Sequence, residues 1–96
     1  MNAAQKLATD LEQVLSGQVA VRDIIARQGE YSAVSKGVFA NLEHYDADSD
    51  LRVKDSCYRT MQDGEMAKLV QLLRIGSADC VLERITFLQA TELNGF

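Results

Sequence analysis

The chain has no proline and no tryptophan, and it contains only two cysteines and one histidine among its 96 residues. Without proline, no residue of the strongest helix-breaking type interrupts the sequence. Cys57 and Cys80 are too few for a disulfide framework and too far apart to chelate a metal as a pair. We expect two reduced, buried thiols, because free cysteine packs like a small apolar residue. A bridge within or between chains is the alternative in an oxidising compartment.

An excess of basic residues and a long apolar run are also missing. The 14 acidic and 10 basic side chains give a formal charge of -4, the wrong sign for a surface that follows phosphates. Apolar runs span only a few residues, against roughly 20 needed to cross a bilayer, and the start of the chain lacks the apolar core of a signal peptide. We therefore predict an acidic, cytoplasmic protein that binds neither nucleic acid nor membranes.

What is present predicts one folded, all-helical domain. Hydrophobic residues make up 47% of the chain, enough for one core in a domain of this size. Between the glycines, apolar residues recur almost everywhere at the three-and-four spacing of an α-helix. We predict that residues 1–96 form a single all-α domain, a helical bundle of four to five helices.

Glycines and capping residues predict where the helices begin and end. The first helix ends before Gly17, and the second runs from about residue 18 to residue 28. The third begins after an N-cap at Ser32. Gly37 lies inside this third helix, where glycine costs about 1 kcal/mol relative to alanine, and a close helix crossing would explain it.

The fourth segment, residues 49–75, is the longest. One apolar stripe keeps its phase across Gly64: Leu51, Tyr58, Met61, Met66, Leu69, Val70, Leu72 and Leu73. We predict one long helix here, with a break at Asp63-Gly64 as the alternative. Unbroken, it would be close to 40 Å long at about 1.5 Å per residue, longer than a domain of this size is wide. Such a helix bends or projects, and a projecting helix needs a partner.

The last predicted helix follows Gly76-Ser77, with Ser77 as its cap and Asp79 near the positive end of its dipole. Its apolar stripe consists of Ala78, Val81, Leu82, Ile85 and Leu88. Thr86 and Phe87 tolerate extended backbone, so a strand over residues 81–88 is the alternative, although it would have no strand to pair with.

Residues 44–50 form the only cluster that could be a chemical site. It combines the sole histidine with three alternating carboxylates: His44, Asp46, Asp48 and Asp50. The carboxylates match the first three ligand positions of a helix-loop-helix calcium site. The match fails at Leu51, where the loop needs glycine, and at Cys57, where it needs a bidentate glutamate. His44 could join the carboxylates around a transition metal.

Helix capping is the simpler interpretation of this cluster. Asp48 or Ser49 would cap the long helix, Asp50 would lie in its first turn, and Asp46 would belong to the connecting turn. We therefore predict no bound metal or cofactor. A metal-binding or metal-responsive protein that uses the cluster is the alternative function.

No constellation of residues predicts an enzyme. Phosphate-binding glycine loops, dinucleotide fingerprints and recognisable nucleophile–base spacings are all missing. Residues 22–42 do have the length and the mid-turn glycine of a helix-turn-helix. Their only basic residues are Arg22, Arg27 and Lys36, of which Lys36 alone lies in the recognition helix. A DNA-binding regulator is therefore the further alternative.

Protein–protein interaction is the preferred function. We predict a small non-enzymatic regulator, adaptor, chaperone or inhibitor that buries an apolar helix face against a protein partner, a second copy in a homodimer, or both. The aromatic and methionine side chains are most simply core, and a groove or dimer face is the alternative. Tyrosine and arginine often dominate binding energy, so the predicted interface residues are Tyr58, Arg59, Met61 and Met66.

Overall fold

The computed structural model describes residues 2–87, of which 74% are helical and none forms a strand. The helices of this part are α1 (Ala3–Leu15), α2 (Val21–Ala26), a 3₁₀ helix (Gln28–Tyr31), α3 (Lys36–Ala47), α4 (Ser49–Lys54), α5 (Ser56–Arg74) and α6 (Asp79–Leu82). The predicted all-α class is confirmed. No helix within residues 2–87 is long and apolar enough to cross a membrane.

Helices α1 and α5 form the centre of the fold and run antiparallel. The start of α1 lies beside Gly76 and Ser77 just after α5, and the end of α1 lies beside Arg59 and Asp63 near the start of α5. Apolar sides of all helices except α4 meet in one core. Its buried residues are Leu7, Ala8, Leu11, Val21, Ile24, Tyr31, Val34, Val38, Phe39, Leu42, Tyr45, Met66, Leu69, Val70, Leu73, Leu82, Ile85 and Phe87.

Local signals define α1 as predicted. The Asn2 side chain accepts a hydrogen bond from the Gln5 amide at 2.9 Å, and the Gln5 side chain accepts one from the Asn2 amide at 3.3 Å. This reciprocal capping box satisfies two amides that the helix start would leave unpaired. After Leu15, Gly17 adopts φ +80°, a left-handed conformation that favours glycine at a helix end.

The predicted start of the third helix at Ser32 is wrong. The backbone at Ser35 is extended and α3 begins at Lys36, while Ser32 ends the 3₁₀ helix. The reason is tertiary: Tyr31 and Val34 are both buried, and the irregular turn between them directs both side chains into the core. The second helix is correspondingly shorter than predicted, because it ends at Ala26 and passes into the 3₁₀ helix.

Gly37 does mark a close approach, although its neighbour is a side chain rather than a crossing helix. A Cβ atom at Gly37 would lie 2.6 Å from Cδ of Glu83. The Glu83 carboxylate accepts a hydrogen bond from the Ser35 hydroxyl at 2.5 Å, and the Glu83 carbonyl accepts one from Asn41 Nδ2 at 3.0 Å. The segment after α6 therefore closes over the start of α3.

A long helix is present in the fourth segment, but it starts at Ser56 rather than Ser49. The helix is interrupted at Asp55, whose backbone is extended. The Asp55 carboxylate accepts hydrogen bonds from the amides of Cys57 and Tyr58 at 2.9 and 3.1 Å. Gly64, the alternative breakpoint, lies inside α5. The 19 residues of α5 span roughly 28 Å, so the helix fits the 38 Å length of the domain and does not project.

Two predictions about the last segment and the thiols need correction. The α6 helix is limited to Asp79–Leu82 and is preceded by Ala78, so Ser77 is not its cap. No strand forms over residues 81–87, and Leu88 lies outside the described residues. Cys57 and Cys80 are both free and exposed, because each lies on the outer side of its helix.

Candidate functional site

The predicted acidic cluster separates into different environments. His44 is exposed on α3, and Asp50 is exposed in the first turn of α4. Asp46 belongs to α3 rather than to a turn, and its carboxylate lies 3.1 Å from Arg22 of α2. No three or more His, Cys, Asp or Glu side chains within residues 2–87 are placed to hold a metal ion. The cluster therefore offers no metal centre in this part of the chain.

Asp48 lies at the junction of α3 and α4, but its carboxylate makes no capping hydrogen bond. It accepts instead from the Tyr58 hydroxyl at 2.7 Å and from Gln62 Nε2 at 2.9 Å. The predicted capping role of Asp48 is thus wrong for its side chain. Its φ of -90° and ψ of 11° differ from the extended backbone of an N-cap.

Gln62 is fully buried and connects four parts of the fold. Its Nε2 donates to Asp48 at the α3–α4 junction and, at 3.0 Å, to the carbonyl of Phe87 after α6. Its Oε1 accepts from Arg52 Nη1 of α4 at 2.7 Å. A buried amide needs such partners, and these three bonds supply them. Gln62 was not singled out from the sequence, although its place between Tyr58 and Met66 on the same helix stripe was a usable signal.

Within residues 2–87, the side-chain hydrogen bonds of helix α4 to the rest of the fold come from Arg52. The guanidinium of Arg52 lies 3.7 Å from the centre of the Tyr45 ring, and its Nη1 also donates to the Tyr45 carbonyl. No residue of α4 is buried. Leu51 is 50% exposed and Val53 is 85% exposed. The contacts of Arg52 with Tyr45 and Gln62, which we call the polar clamp, hold this helix in place instead of core packing.

A cleft of about 370 Å³ separates the end of α1 from α4 and the start of α5. We call it the α1–α4 cleft. Residues that line it include Val14, Leu15, Arg52, Val53, Arg59 and Asp63. Val14 and Leu15 are half-buried at the edge of the core, so the cleft joins an apolar wall to a charged one.

The charges in the α1–α4 cleft are unequal. Its described lining contains two arginines, Arg52 and Arg59, against the single carboxylate of Asp63. Asp63 accepts a hydrogen bond from the Tyr45 hydroxyl at 3.1 Å, and its carboxylate lies 3.5 Å from Arg59 Nε. Burial, with Asp63 adding to it and Arg52 opposing it, raises the pKa of Tyr45 to about 12. Tyr45 is therefore a neutral donor at pH 7, and the cleft carries a local positive charge.

The four predicted interface residues have different fates. Arg59 lines the cleft, and its side chain is 68% exposed. Tyr58 and Met61 are half-buried, and Tyr58 belongs to the Gln62 network. Met66 is fully buried in the core and is removed from the predicted interface. Val53 was not among the predicted interface residues. Its position out of phase with the apolar stripe of residues 49–75 was a signal that it is exposed.

The basic residues of the predicted helix-turn-helix are all exposed, and two of them have partners among neighbouring residues. Arg22 pairs with Asp46, and Arg27 Nε donates to the Asp23 carbonyl at 3.3 Å. Lys36 is exposed in the first turn of α3. Two of the three basic side chains are thus engaged within α2 and α3, which pack together as a helix hairpin.

No family model, curated protein or solved structure matches this chain.

Proposed function

We propose that this protein is a non-enzymatic protein-binding module that docks a partner through α4 and the α1–α4 cleft. The observation that carries the proposal is the exposure of Val53 and Leu51 on a helix that contributes nothing to the core. Single exposed apolar side chains are ordinary on protein surfaces. Val53, however, lies in the lining of the α1–α4 cleft beside the half-buried Val14 and Leu15, and apolar surface grouped around a cleft is of the kind that marks interaction sites. Leu51, two residues earlier, lies on the other side of α4.

Docking of a partner would cover apolar surface of α4 that the fold leaves exposed. Covering apolar surface stabilises a complex by roughly 25 cal/mol per Å², and within the described residues Val53 gains little of this and Leu51 only part of it. Arg59 adds an exposed guanidinium at the rim of the cleft, where arginine is among the residues that most often dominate binding energy. The partner would lie along α4 and insert side chains into the cleft, a form of helix-in-groove docking.

The exposed thiols support a reducing, cytoplasmic setting for this interaction. Cys57 and Cys80 are both free and accessible, and such thiols persist where glutathione and thioredoxin keep them reduced.

Site-specific photo-crosslinking tests the proposal. A photoreactive amino acid at Val53 should cross-link a specific protein, which is then identified, purified and titrated against the unmodified chain. Ala40, exposed on α3 and outside the cleft lining, is the matched control position. We expect Val53→Asp to weaken the purified complex at least tenfold and Ala40→Asp to leave it unchanged.

The experiment also separates the two kinds of partner. A cross-linked second copy of this chain, together with a doubled native mass, would identify a homodimer instead of a different protein. Equal cross-linking from Val53 and Ala40, or a complex that tolerates Val53→Asp, would refute docking through α4.

A further inference from the structure

We infer that the α1–α4 cleft recognises a carboxylate side chain set among apolar residues of the protein partner, with Arg52 and Arg59 as its two cationic contacts. This inference rests on the proposed function and specifies what the docked segment must contain. It follows from how the two guanidinium groups are held, from the charge around them and from the shape of the cleft.

Arg52 is held in place by only some of its hydrogen-bond donors. Its hydrogen bonds within residues 2–87 all run from Nη1, to the Tyr45 carbonyl and to Gln62 Oε1. Nε and Nη2 have no acceptor in that part of the chain. The Tyr45 ring beneath the guanidinium further restricts its motion. A fixed guanidinium loses little conformational entropy when it binds a carboxylate, and its planar donors match the two carboxylate oxygens.

Arg59 is weakly engaged by comparison. Its Nε lies 3.5 Å from the Asp63 carboxylate, longer than an ordinary charge-assisted hydrogen bond, and the side chain is largely exposed. Surface pairs of this kind contribute little to stability. Arg59 can therefore turn toward a bound carboxylate at small cost, while Asp63 keeps its hydrogen bond from Tyr45.

The other walls of the cleft determine where the carboxylate lies. The carbonyl end of α1 carries the negative end of the helix dipole, although the amides of Ser16, Gly17 and Gln18 cover several of its carbonyls. An anion is therefore favoured on the opposite side, by the arginines. Apolar neighbours of the anion would contact Val14, Leu15 and Val53 on the remaining walls.

The charge of the whole chain limits how acidic the docked segment can be. The formal charge of -4 repels a run of acidic residues approaching from solution, because the summed field of the protein acts on the encounter. The local excess in the cleft is a single positive charge, from two arginines and one aspartate. One isolated carboxylate among apolar side chains therefore fits better than an acidic tract.

A pair of terminally blocked amphipathic peptides tests this inference. The two peptides differ only at one central position, which is glutamate in one and glutamine in the other. We expect NMR titration to move the backbone amide of Val53 and the side-chain Nε–H signals of Arg52 and Arg59. The glutamate peptide should bind about tenfold tighter, the effect of one charge-assisted hydrogen bond. Arg59→Gln should reduce that preference while Arg52 retains part of it, and Arg84→Gln, at an exposed arginine outside the cleft lining, should preserve it in full.

Each alternative outcome is distinct. If both peptides bind equally and Val53→Asp weakens both, docking through α4 stands and the carboxylate inference is wrong. The inference also fails if neither peptide moves the cleft signals, or if Arg59→Gln leaves the preference undiminished. Sodium acetate is the last comparison. If it moves the arginine signals as strongly as the glutamate peptide does, the ligand of the cleft is a small carboxylate, and recognition of a segment of a protein partner is refuted.

Discussion

Helices α4 and α5 follow one another across Asp55, yet opposite kinds of contact hold them. Four apolar residues of α5 are buried against the core: Met66, Leu69, Val70 and Leu73. No residue of α4 is buried, and Arg52 anchors the helix to Tyr45 and Gln62. Elements with few buried apolar contacts open at low free energy, and binding surfaces are drawn from such elements. The comparison indicates that α5 provides stability, and it supports the proposal that α4 provides the contact surface.

The largest expected effect comes from placing the same substitution in each helix. Leu69→Asp puts a charge into the core of α5 and should destabilise the fold by on the order of 4 kcal/mol or more. Val53→Asp changes only an exposed position of α4 and should alter the free energy of unfolding by about 0.5 kcal/mol or less. Urea denaturation of the two variants measures the difference. Similar losses from both would show that α4 is part of the stabilising core.

An intermediate effect is expected at the contact between the two helices. Gln62→Ala removes the amide that joins Asp48, Arg52 and the Phe87 carbonyl. Loss of buried hydrogen bonds, with the small cavity that remains, should destabilise the fold by about 2 to 4 kcal/mol.

Amide hydrogen exchange shows where that loss acts. We expect Gln62→Ala to accelerate exchange in α4 more than in the middle of α5. Gln71→Ala, at an exposed position of the same helix, is the control and should leave both rates near those of the parent protein. Uniform acceleration in both helices would contradict the polar clamp as the attachment of α4.

The smallest effect is a pH dependence from the tyrosine beneath α4. Burial raises the pKa of Tyr45 from 10.0 to about 12, so the folded state holds the phenolic proton more tightly than the unfolded state. The stabilisation is therefore fully present below the unfolded pKa and is lost as pH rises from there through the folded pKa.

Urea denaturation on both sides of pH 10, with Tyr45→Phe as the comparison, measures this contribution. The stability advantage of the parent protein over Tyr45→Phe should decrease as pH rises through this window. Tyr31, whose pKa burial also raises, is present in both proteins and affects them alike. A difference that does not change with pH would place the Tyr45 hydroxyl in a more solvated setting.

Helix positions were largely predictable from the sequence, whereas several helix boundaries were not. The end of α1 at Gly17 was predicted because a left-handed backbone there suits glycine. The start of α3 was misplaced because Ser32 and Ser35 are both acceptable caps, and burial of Tyr31 and Val34 decides between them. The break before α5 was missed because the apolar stripe continues past Asp55, whose capping hydrogen bonds interrupt the helix.

The candidate site was predictable only in part. Arg59 was identified from the residue type, and it does line the cleft. Both cysteines were predicted to be buried and are exposed, whereas Met66 was named for the interface although core was the preferred interpretation of the methionines, and it is buried. Helical periodicity shows which residues share a face and not how far that face extends. The role of Asp48 was also missed, since its partners Tyr58 and Gln62 lie 10 and 14 residues further along the chain.

The all-helical class and the core faces of α1 and α5 follow from local pattern, because helical hydrogen bonds and apolar periodicity act within a few residues. The α1–α4 cleft does not follow from local sequence pattern. It exists because the antiparallel packing of α1 on α5 places Val14 and Leu15 beside Arg59, and because Gln62 holds Arg52 over Tyr45. These contacts join residues from different helices, so only the packed tertiary structure decides the arrangement that leaves Val53 exposed.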